Sequence, residues 1–234
     1  MALPILRLTN RTNRLLKAWP LTTGVPFPPG VWKSTDGGVL ELEEGIRCPI
    51  QSRPLRLHRD GSVAWLLVDA EIPFKPRQKR VAVLKKGRCR LETGLKCVEG
   101  ENGFHICSPH YEVRLSKRRF SLVESWKVDC QEMVGGETDI LIETPPGKRY
   151  YASNAEGVSW KVVEKGPLRI VLESEGRHRA GDGEELFSFR VRYVFRRSDP
   201  CVQISYRFTN REMPETGVTV SRIALLFPTA LGRS

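Results

Sequence analysis

The chain has 234 residues, of which 40% are hydrophobic and 28% charged, and its formal net charge is +11. This length can bury a sizeable core, and the regular recurrence of aromatic and β-branched residues argues against disorder. No stretch approaches the roughly 20 apolar residues of a membrane-spanning helix, and arginines follow the short apolar start too closely for a signal peptide. We therefore expect a soluble, cytoplasmic protein without a membrane partner.

The first half of the chain predicts short strands joined by tight turns. The run Val63–Val68 is apolar at every position, which is typical of a central strand. We therefore expect Trp65, Leu67 and Val68 to be buried, and Trp65→Ala to cost about 3–5 kcal/mol of stability. A second apolar segment, Val81–Leu84, predicts a strand between basic residues.

The second half of the chain is dominated by alternating apolar and polar residues, which indicate strands with one face in the core. The alternation predicts strands near 111–115, 168–178, 185–196, 202–208 and 218–227. Asp182-Gly183 suits the tight turn of a hairpin between two of them. The weakly periodic stretch 128–154 is expected to form a long exposed excursion. No helical period is evident, so the predicted class is all-β and antiparallel, with a soft seam near 90–108.

Basic residues are concentrated between positions 75 and 90. Eight bases occur there without an acid: Lys75, Arg77, Lys79, Arg80, Lys85, Lys86, Arg88 and Arg90. Such a field attracts polyanions, whether nucleic acid, an anionic membrane or an acidic polysaccharide. We select Lys79, Arg80, Lys85 and Lys86 as candidate polyanion contacts. The alternative interpretation is a solvated face that keeps the protein soluble.

The sequence motifs of common enzymes are absent. The chain has no G-x-S-x-G, Walker A, H-E-x-x-H or G-x-G-x-x-G sequence, so we assign no catalytic residue and no cofactor. Its six cysteines include no C-x-x-C pair. The segment His105-x-Cys107-x-x-His110 resembles a metal site, but a fourth ligand is not evident, and a closed structural zinc site needs four. We therefore predict no metal.

Three aromatic residues in polar, turn-rich stretches are candidate sugar platforms. Trp32, Tyr150 and Tyr151 each lie close to lysine or arginine in the sequence. A flat ring can stack on the C–H face of a sugar, while a basic side chain pairs with a uronate carboxylate. The competing interpretation is that these rings cap the core, as most aromatic side chains do.

Two motifs resemble the opening of the exo-rhamnogalacturonan-lyase/YetA-like family. They are TTGVPFPPGVW, from Thr22 to Trp32, and RLHRDGSVAWLLVDAEIPF, from Arg56 to Phe74, with Pro49-Ile50-Gln51 between them. The later segments 162–178 and 189–210 also resemble that family. This chain has His58-Arg59 where the family commonly has Trp-Pro, and Ala64 where it commonly has Lys.

The resemblance implies a single domain over 1–234, an N-terminal barrel related to the riboflavin-synthase and translation-factor (RIFT) barrels and elaborated by antiparallel strands. In complete members a helical toroid and a β-sandwich follow, and the lyase activity is associated with the assembled enzyme. The resemblance therefore implies no catalytic residue here. His58 and Arg59, in the turn where the second motif of the resemblance begins, are further candidate sugar contacts.

Three functional hypotheses follow. The first is a non-catalytic carbohydrate-associated module whose partner is an acidic polysaccharide or a missing catalytic helical domain, including the case of a split lyase completed by a partner chain. The second is a basic barrel that binds nucleic acid, which rests on charge and on fold analogy. The third, a small enzyme without a recognised motif, is ranked last.

Overall fold

The computed structural model describes residues 4–33, 37–91, 94–210 and 217–230. Over these residues the chain forms curled antiparallel sheets, and the helical structure described is one short 3-10 turn, Ala152–Asn154. The predicted all-β class is confirmed. No helix within these ranges is long and apolar enough to cross a membrane.

The chain folds into two compact units. The first, which we call the barrel unit, comprises Met1–Gly94 together with two later segments, Gly166–Arg169 and Arg196–Asp199. The second, which we call the sandwich unit, comprises Leu95–Lys165, Ile170–Phe195 and Pro200–Ser234. Whether the whole chain behaves as a single domain stays a prediction.

The barrel unit contains a six-stranded antiparallel sheet. Its strands are β1 (Ile5–Thr9), β2 (Leu16–Pro26), β3 (Gly38–Leu42), β4 (Arg47–Leu57), β5 (Val63–Phe74) and β6 (Lys79–Lys86). They are hydrogen-bonded in the order β1-β6-β3-β4-β5-β2. The core of the unit includes Val25, Leu40, Leu66, Ile72 and Leu84. The predicted strand at Val81–Leu84 is confirmed as part of β6.

Strand β5 has one buried face and one outer face. Leu66, Val68 and Ala70 point into the core, as the period of two requires. Trp65 is 45% exposed and Leu67 is half-buried. The prediction that Trp65 is buried was therefore wrong, although Val68 is buried as expected. Trp65→Ala is now expected to cost less than about 1 kcal/mol, the range of a cross-strand surface pair.

The segment Gly166–Arg169 of the barrel unit is attached to β4 and β5 of its sheet by polar contacts. The Gln51 side chain accepts hydrogen bonds from the backbone N–H groups of Leu168 and Arg169, both at 2.9 Å, and donates one to the Arg169 carbonyl at 2.9 Å. Arg169 forms an ion pair with Asp69 at 3.5 Å, and both side chains are nearly inaccessible. The Gln51 side chain thus links β4 to a segment that lies more than a hundred residues later in the sequence.

The sandwich unit contains two antiparallel sheets. The first has the order β11-β10-β9-β8-β7 and the second β17-β16-β15-β13-β12-β18, with β14 paired to β15. The strands of the first are β7 (Lys96–Glu99), β8 (Gly103–Cys107), β9 (Tyr111–Ser116), β10 (Ser125–Val128) and β11 (Gln131–Glu132). Those of the second are β12 (Asp139–Thr144), β13 (Lys148–Tyr151), β14 (Ser159–Lys165), β15 (Arg169–Ala180), β16 (Glu185–Arg196), β17 (Gln203–Thr209) and β18 (Arg222–Leu226).

One apolar core lies between the two sheets of the sandwich unit. It joins Ile106 and Val113 of the first sheet to Leu172, Val191 and other residues of the second. The hairpin predicted around Asp182-Gly183 is confirmed: β15 pairs with β16, and Gly183 has the positive φ (93°) that its turn requires.

The stretch 128–154 is not the long excursion that we predicted. It contains β11, β12 and β13, and Ile140 and Ile142 are fully buried. Leu141, between them, is also buried. Because β12 is covered on both faces, it lacks the alternation on which the prediction relied.

Candidate functional site

Trp32, one of the predicted sugar platforms, lies in the core of the barrel unit. Its side chain is 1% exposed, and its ring packs against that of Phe27 with 4.9 Å between centroids. The ammonium group of Lys86 lies 6.0 Å from the ring centroid. Trp32 therefore cannot stack on a sugar, and the competing interpretation of a core residue holds.

Tyr150 is also buried, whereas its neighbour Tyr151 is half-buried. The Tyr150 hydroxyl donates a hydrogen bond of 2.6 Å to Glu184. The pKa of the phenol is raised, mainly by burial and to a smaller extent by this hydrogen bond to the carboxylate. Lys148 contacts the same carboxylate and Asp182. Tyr150 is a packing and hydrogen-bonding residue rather than a platform, while a sugar contact for Tyr151 stays a prediction.

His58 and Arg59 begin the turn before β5. The His58 Nε2 donates to the Phe27 carbonyl at 2.8 Å, which ties this turn to the end of β2. Asp60 accepts hydrogen bonds from the Ser62 hydroxyl and backbone N–H, and these hold the pKa of its carboxyl below the usual value. The His58 ring therefore organises the turn. Arg59 is exposed, and its contact with a sugar stays a prediction.

The four candidate polyanion contacts lie on β6 but do not form one free cationic surface. Arg80 is 8% exposed and pairs with Glu44 at 2.6 Å. Lys85 pairs with Glu41, and this hydrogen bond lowers the pKa of the Glu41 carboxyl. Lys79 and Lys86 are exposed. Two of the four charges are thus largely balanced within the barrel unit.

Sequence reasoning missed an exposed aromatic platform at Trp65. The ring lies beside Gly24 of β2, where an added Cβ would stand 3.4 Å from the ring atom Cε3. Across the sheet, the backbone partners of Trp65 are Pro26 on β2 and Arg56 on β4. The register of β4 against β5 shifts on both sides of Arg56, which marks a β-bulge, and the Arg56 side chain is exposed. A flat apolar ring is therefore exposed on β5, and the neighbouring strand β4 carries an exposed arginine at a β-bulge.

The sandwich unit has a cavity of about 490 Å³, lined by Arg119, Glu132, Asp139, Ser153 and neighbouring residues. Asp139 is mostly buried, which raises the pKa of its carboxyl. Its oxygens accept hydrogen bonds from the Ile140 N–H and from the backbone and hydroxyl of Ser153. Glu132 accepts from Ser125, Trp126 and Val134 in the same way, and its pKa is lowered.

Both carboxyl groups of this cavity are thus held by local donors. Asp139 ties the start of β12 to the 3-10 turn, and Glu132 ties β11 to β10. Their hydrogen bonds account for the conformation of the chain at these points. These contacts indicate a structural role for Asp139 and Glu132 more directly than a role in acid–base chemistry.

Residues 6–80 match a protein-family model described as the PcRGLX-like N-terminal RIFT barrel domain. The match covers about a third of the chain and most of the barrel unit, and it includes Trp65, Gly24 and Arg56. This part of the chain is therefore similar to the N-terminal RIFT barrel of rhamnogalacturonan-lyase-like proteins. The resemblance beyond residue 80, and to the YetA-like family in particular, stays a prediction.

Among solved structures, the chain is similar to an α-mannosidase from Enterococcus faecalis V583, with a TM-score of 0.59 and 10% sequence identity. The similarity covers 88% of this chain but 30% of the α-mannosidase chain. At this identity it supports the fold alone. A search of curated proteins found no match.

Proposed function

We propose that the chain is a non-catalytic, carbohydrate-associated module that binds an acidic glycan on the outer face of its barrel unit. The observation that carries the proposal is the exposed Trp65 ring beside Gly24, opposite Arg56, within the RIFT barrel. The family match supports an association with carbohydrate, and the platform supplies a surface on which a sugar ring could lie.

The chemistry of the platform favours a uronate over a neutral sugar. The Trp65 ring can stack on sugar C–H groups, and Gly24, which the ring lies beside, has no side chain to cover it. Arg56 can pair with a carboxylate through two parallel N–H···O bonds. Exposed cations on β6, among them Lys79 and Lys86, would add a weaker, salt-dependent attraction.

Trp65→Ala is expected to weaken the binding of acidic oligogalacturonides about 5- to 150-fold, if stacking on a sugar is worth what stacking on a nucleobase is, on the order of 1–3 kcal/mol. Trp19→Ala is the matched control: Trp19 is similarly exposed on β2 and lies outside the platform. Isothermal titration at two salt concentrations measures both variants, and unchanged affinity for Trp65→Ala would contradict the proposal.

A nucleic acid is the main competing ligand, because bases also stack on exposed aromatic rings. Competition between oligogalacturonides and single-stranded DNA of equal charge separates the two. We expect the glycan to displace the DNA; the reverse order would favour the nucleic-acid hypothesis.

The purified chain is expected not to cleave rhamnogalacturonan. In our proposal the chemistry belongs to a helical catalytic domain, on the same polypeptide or on a partner chain. β-Elimination creates an unsaturated uronate that absorbs in the ultraviolet, so absorbance followed over time measures the reaction directly, with an active lyase as positive control. Absorbance that grows in proportion to the amount of chain would show that the module is itself an enzyme.

A further inference from the structure

Three side chains with metal-binding atoms meet on one face of the first sheet of the sandwich unit. His105 and Cys107 lie two residues apart on β8 and point to the same face. Glu112 is the direct cross-strand partner of Cys107 on β9. The His105 Nε2 lies 3.3 Å from the Cys107 Sγ and 3.4 Å from a Glu112 carboxylate oxygen. The three donor atoms all lie within 4.8 Å of one another.

The two separations from the His105 Nε2 are close to the edges of a zinc coordination tetrahedron, and the third is below 4.8 Å. Zinc bonds of about 2.3 Å to sulfur and 2.0–2.2 Å to nitrogen or oxygen place neighbouring ligand atoms about 3.3–3.6 Å apart. A thiolate, an imidazole and a carboxylate together suit Zn²⁺ better than Mg²⁺ or Ca²⁺, which prefer oxygen ligands. We propose that His105, Cys107 and Glu112 form a three-ligand zinc site whose fourth position is open to water.

The sheet holds the three ligands before any metal binds. Strand β8 lies between β7 and β9, and β9 lies between β8 and β10. The opposite faces of β8 and β9 are anchored in the core by Ile106 and Val113, both fully buried. Little conformational entropy is therefore lost on binding. The side chains of His105 and Glu112 are 38% and 50% exposed, so a metal can reach them from solvent.

Basic residues surround the site and limit its affinity. Each proposed ligand has a basic residue as a direct cross-strand neighbour. These neighbours are Lys96 on β7 for Cys107, Arg114 on β9 for His105, and Lys127 on β10 for Glu112. A divalent cation is repelled by these charges, whereas the anionic thiolate and carboxylate are stabilised by them. We expect an exchangeable site rather than the closed, four-ligand site of a structural zinc.

Chelator-treated protein, titrated with zinc against a chromophoric chelator, is expected to bind one ion per chain. Cys107→Ser and Glu112→Gln should each weaken binding at least tenfold, while Cys130→Ser, at an exposed cysteine outside the cluster, should leave it unchanged. Cobalt in place of zinc should give a thiolate charge-transfer band that Cys107→Ser removes. Circular dichroism checks that each variant remains folded.

His110→Ala separates this site from the His-Cys-His arrangement that the sequence suggested. We expect its zinc affinity to change less than threefold, because His110 is not among the three clustered donors. Two results would overturn the proposal: no stoichiometric zinc bound by the wild-type chain, or binding lost in His110→Ala but kept in Glu112→Gln.

Discussion

Replacing Gln51 by Leu is expected to lower the free energy of unfolding by about 2–4 kcal/mol. Three backbone groups of Leu168 and Arg169 lose their partner, and each unsatisfied group near the interior costs about 1–3 kcal/mol, part of which water recovers. Urea denaturation followed by tryptophan fluorescence measures the change. Gln131→Leu, the same substitution at an exposed position of β11, should shift stability by less than about 0.5 kcal/mol.

The tight fit between Gln51 and Gly166 provides a second test of the same interaction. A Cβ added at Gly166 would stand 2.2 Å from the Gln51 Cδ, so Gly166→Ala should also destabilise the chain. In a Gln51→Ala background the side-chain amide that the new Cβ would contact is gone. The loss of stability caused by Gly166→Ala should then largely disappear. Such coupling is what a double-mutant cycle measures. Additive effects of the two substitutions would show that the Gln51 contact is wrongly placed.

Acidification from pH 7 to pH 4 is expected to remove about 3 kcal/mol of stability through His178 alone. Burial lowers the pKa of this imidazole from 6.5 to about 4. The unfolded chain therefore binds the proton first as the pH falls. The stability that the neutral ring provides is complete above about pH 6.5 and is lost progressively down to pH 4.

The hydrogen bonds of His178 define the tautomer of its neutral ring, while burial disfavours the charged form. The Phe187 carbonyl lies 3.1 Å from Nδ1 and can only accept, so Nδ1 carries the proton. The Nε2 then accepts from the Tyr206 hydroxyl, also at 3.1 Å. A second proton on Nε2 would require the Tyr206 hydroxyl to change from donor to acceptor and would place a positive charge in a buried site.

Unfolding free energies measured at several pH values test this account. The wild-type chain and His178→Gln should differ most at pH 7 and converge toward pH 4, whereas His110→Gln, at an exposed histidine, should follow the wild-type curve. Parallel curves for wild type and His178→Gln would contradict the role assigned to this ring.

The sequence predicted the fold class and several strands because these depend on local patterns. The hairpin at Asp182-Gly183 needs only turn residues and flanking alternation. Strand β12 escaped prediction because Ile140, Leu141 and Ile142 are buried on both faces. At Trp65 the sequence predicted too much burial. A continuous apolar run suggested that both faces of β5 are covered, yet the Trp65 side chain is exposed.

The candidate sites depend on register between strands, which local patterns do not encode. His110 lies closer to Cys107 in sequence, but the pairing of β8 with β9 brings Glu112 there instead. The Trp65 platform needs Arg56 and Gly24 from two neighbouring strands. Trp32 could not be placed from its polar surroundings, because its ring turns inward to pack on Phe27.

The barrel unit is built from three separate segments of the sequence, and this affects when it can form during translation. Its last segment, Arg196–Asp199, is translated about a hundred residues after Gly94. At roughly 5–20 residues per second, a ribosome needs on the order of 5–20 s to cover that distance. For about the first 75 residues of that distance, Leu168 and Arg169, which contact Gln51 and Asp69, have not yet been synthesised. A nascent chain arrested before residue 166 should therefore be more sensitive to protease in its barrel strands than one that has passed residue 199.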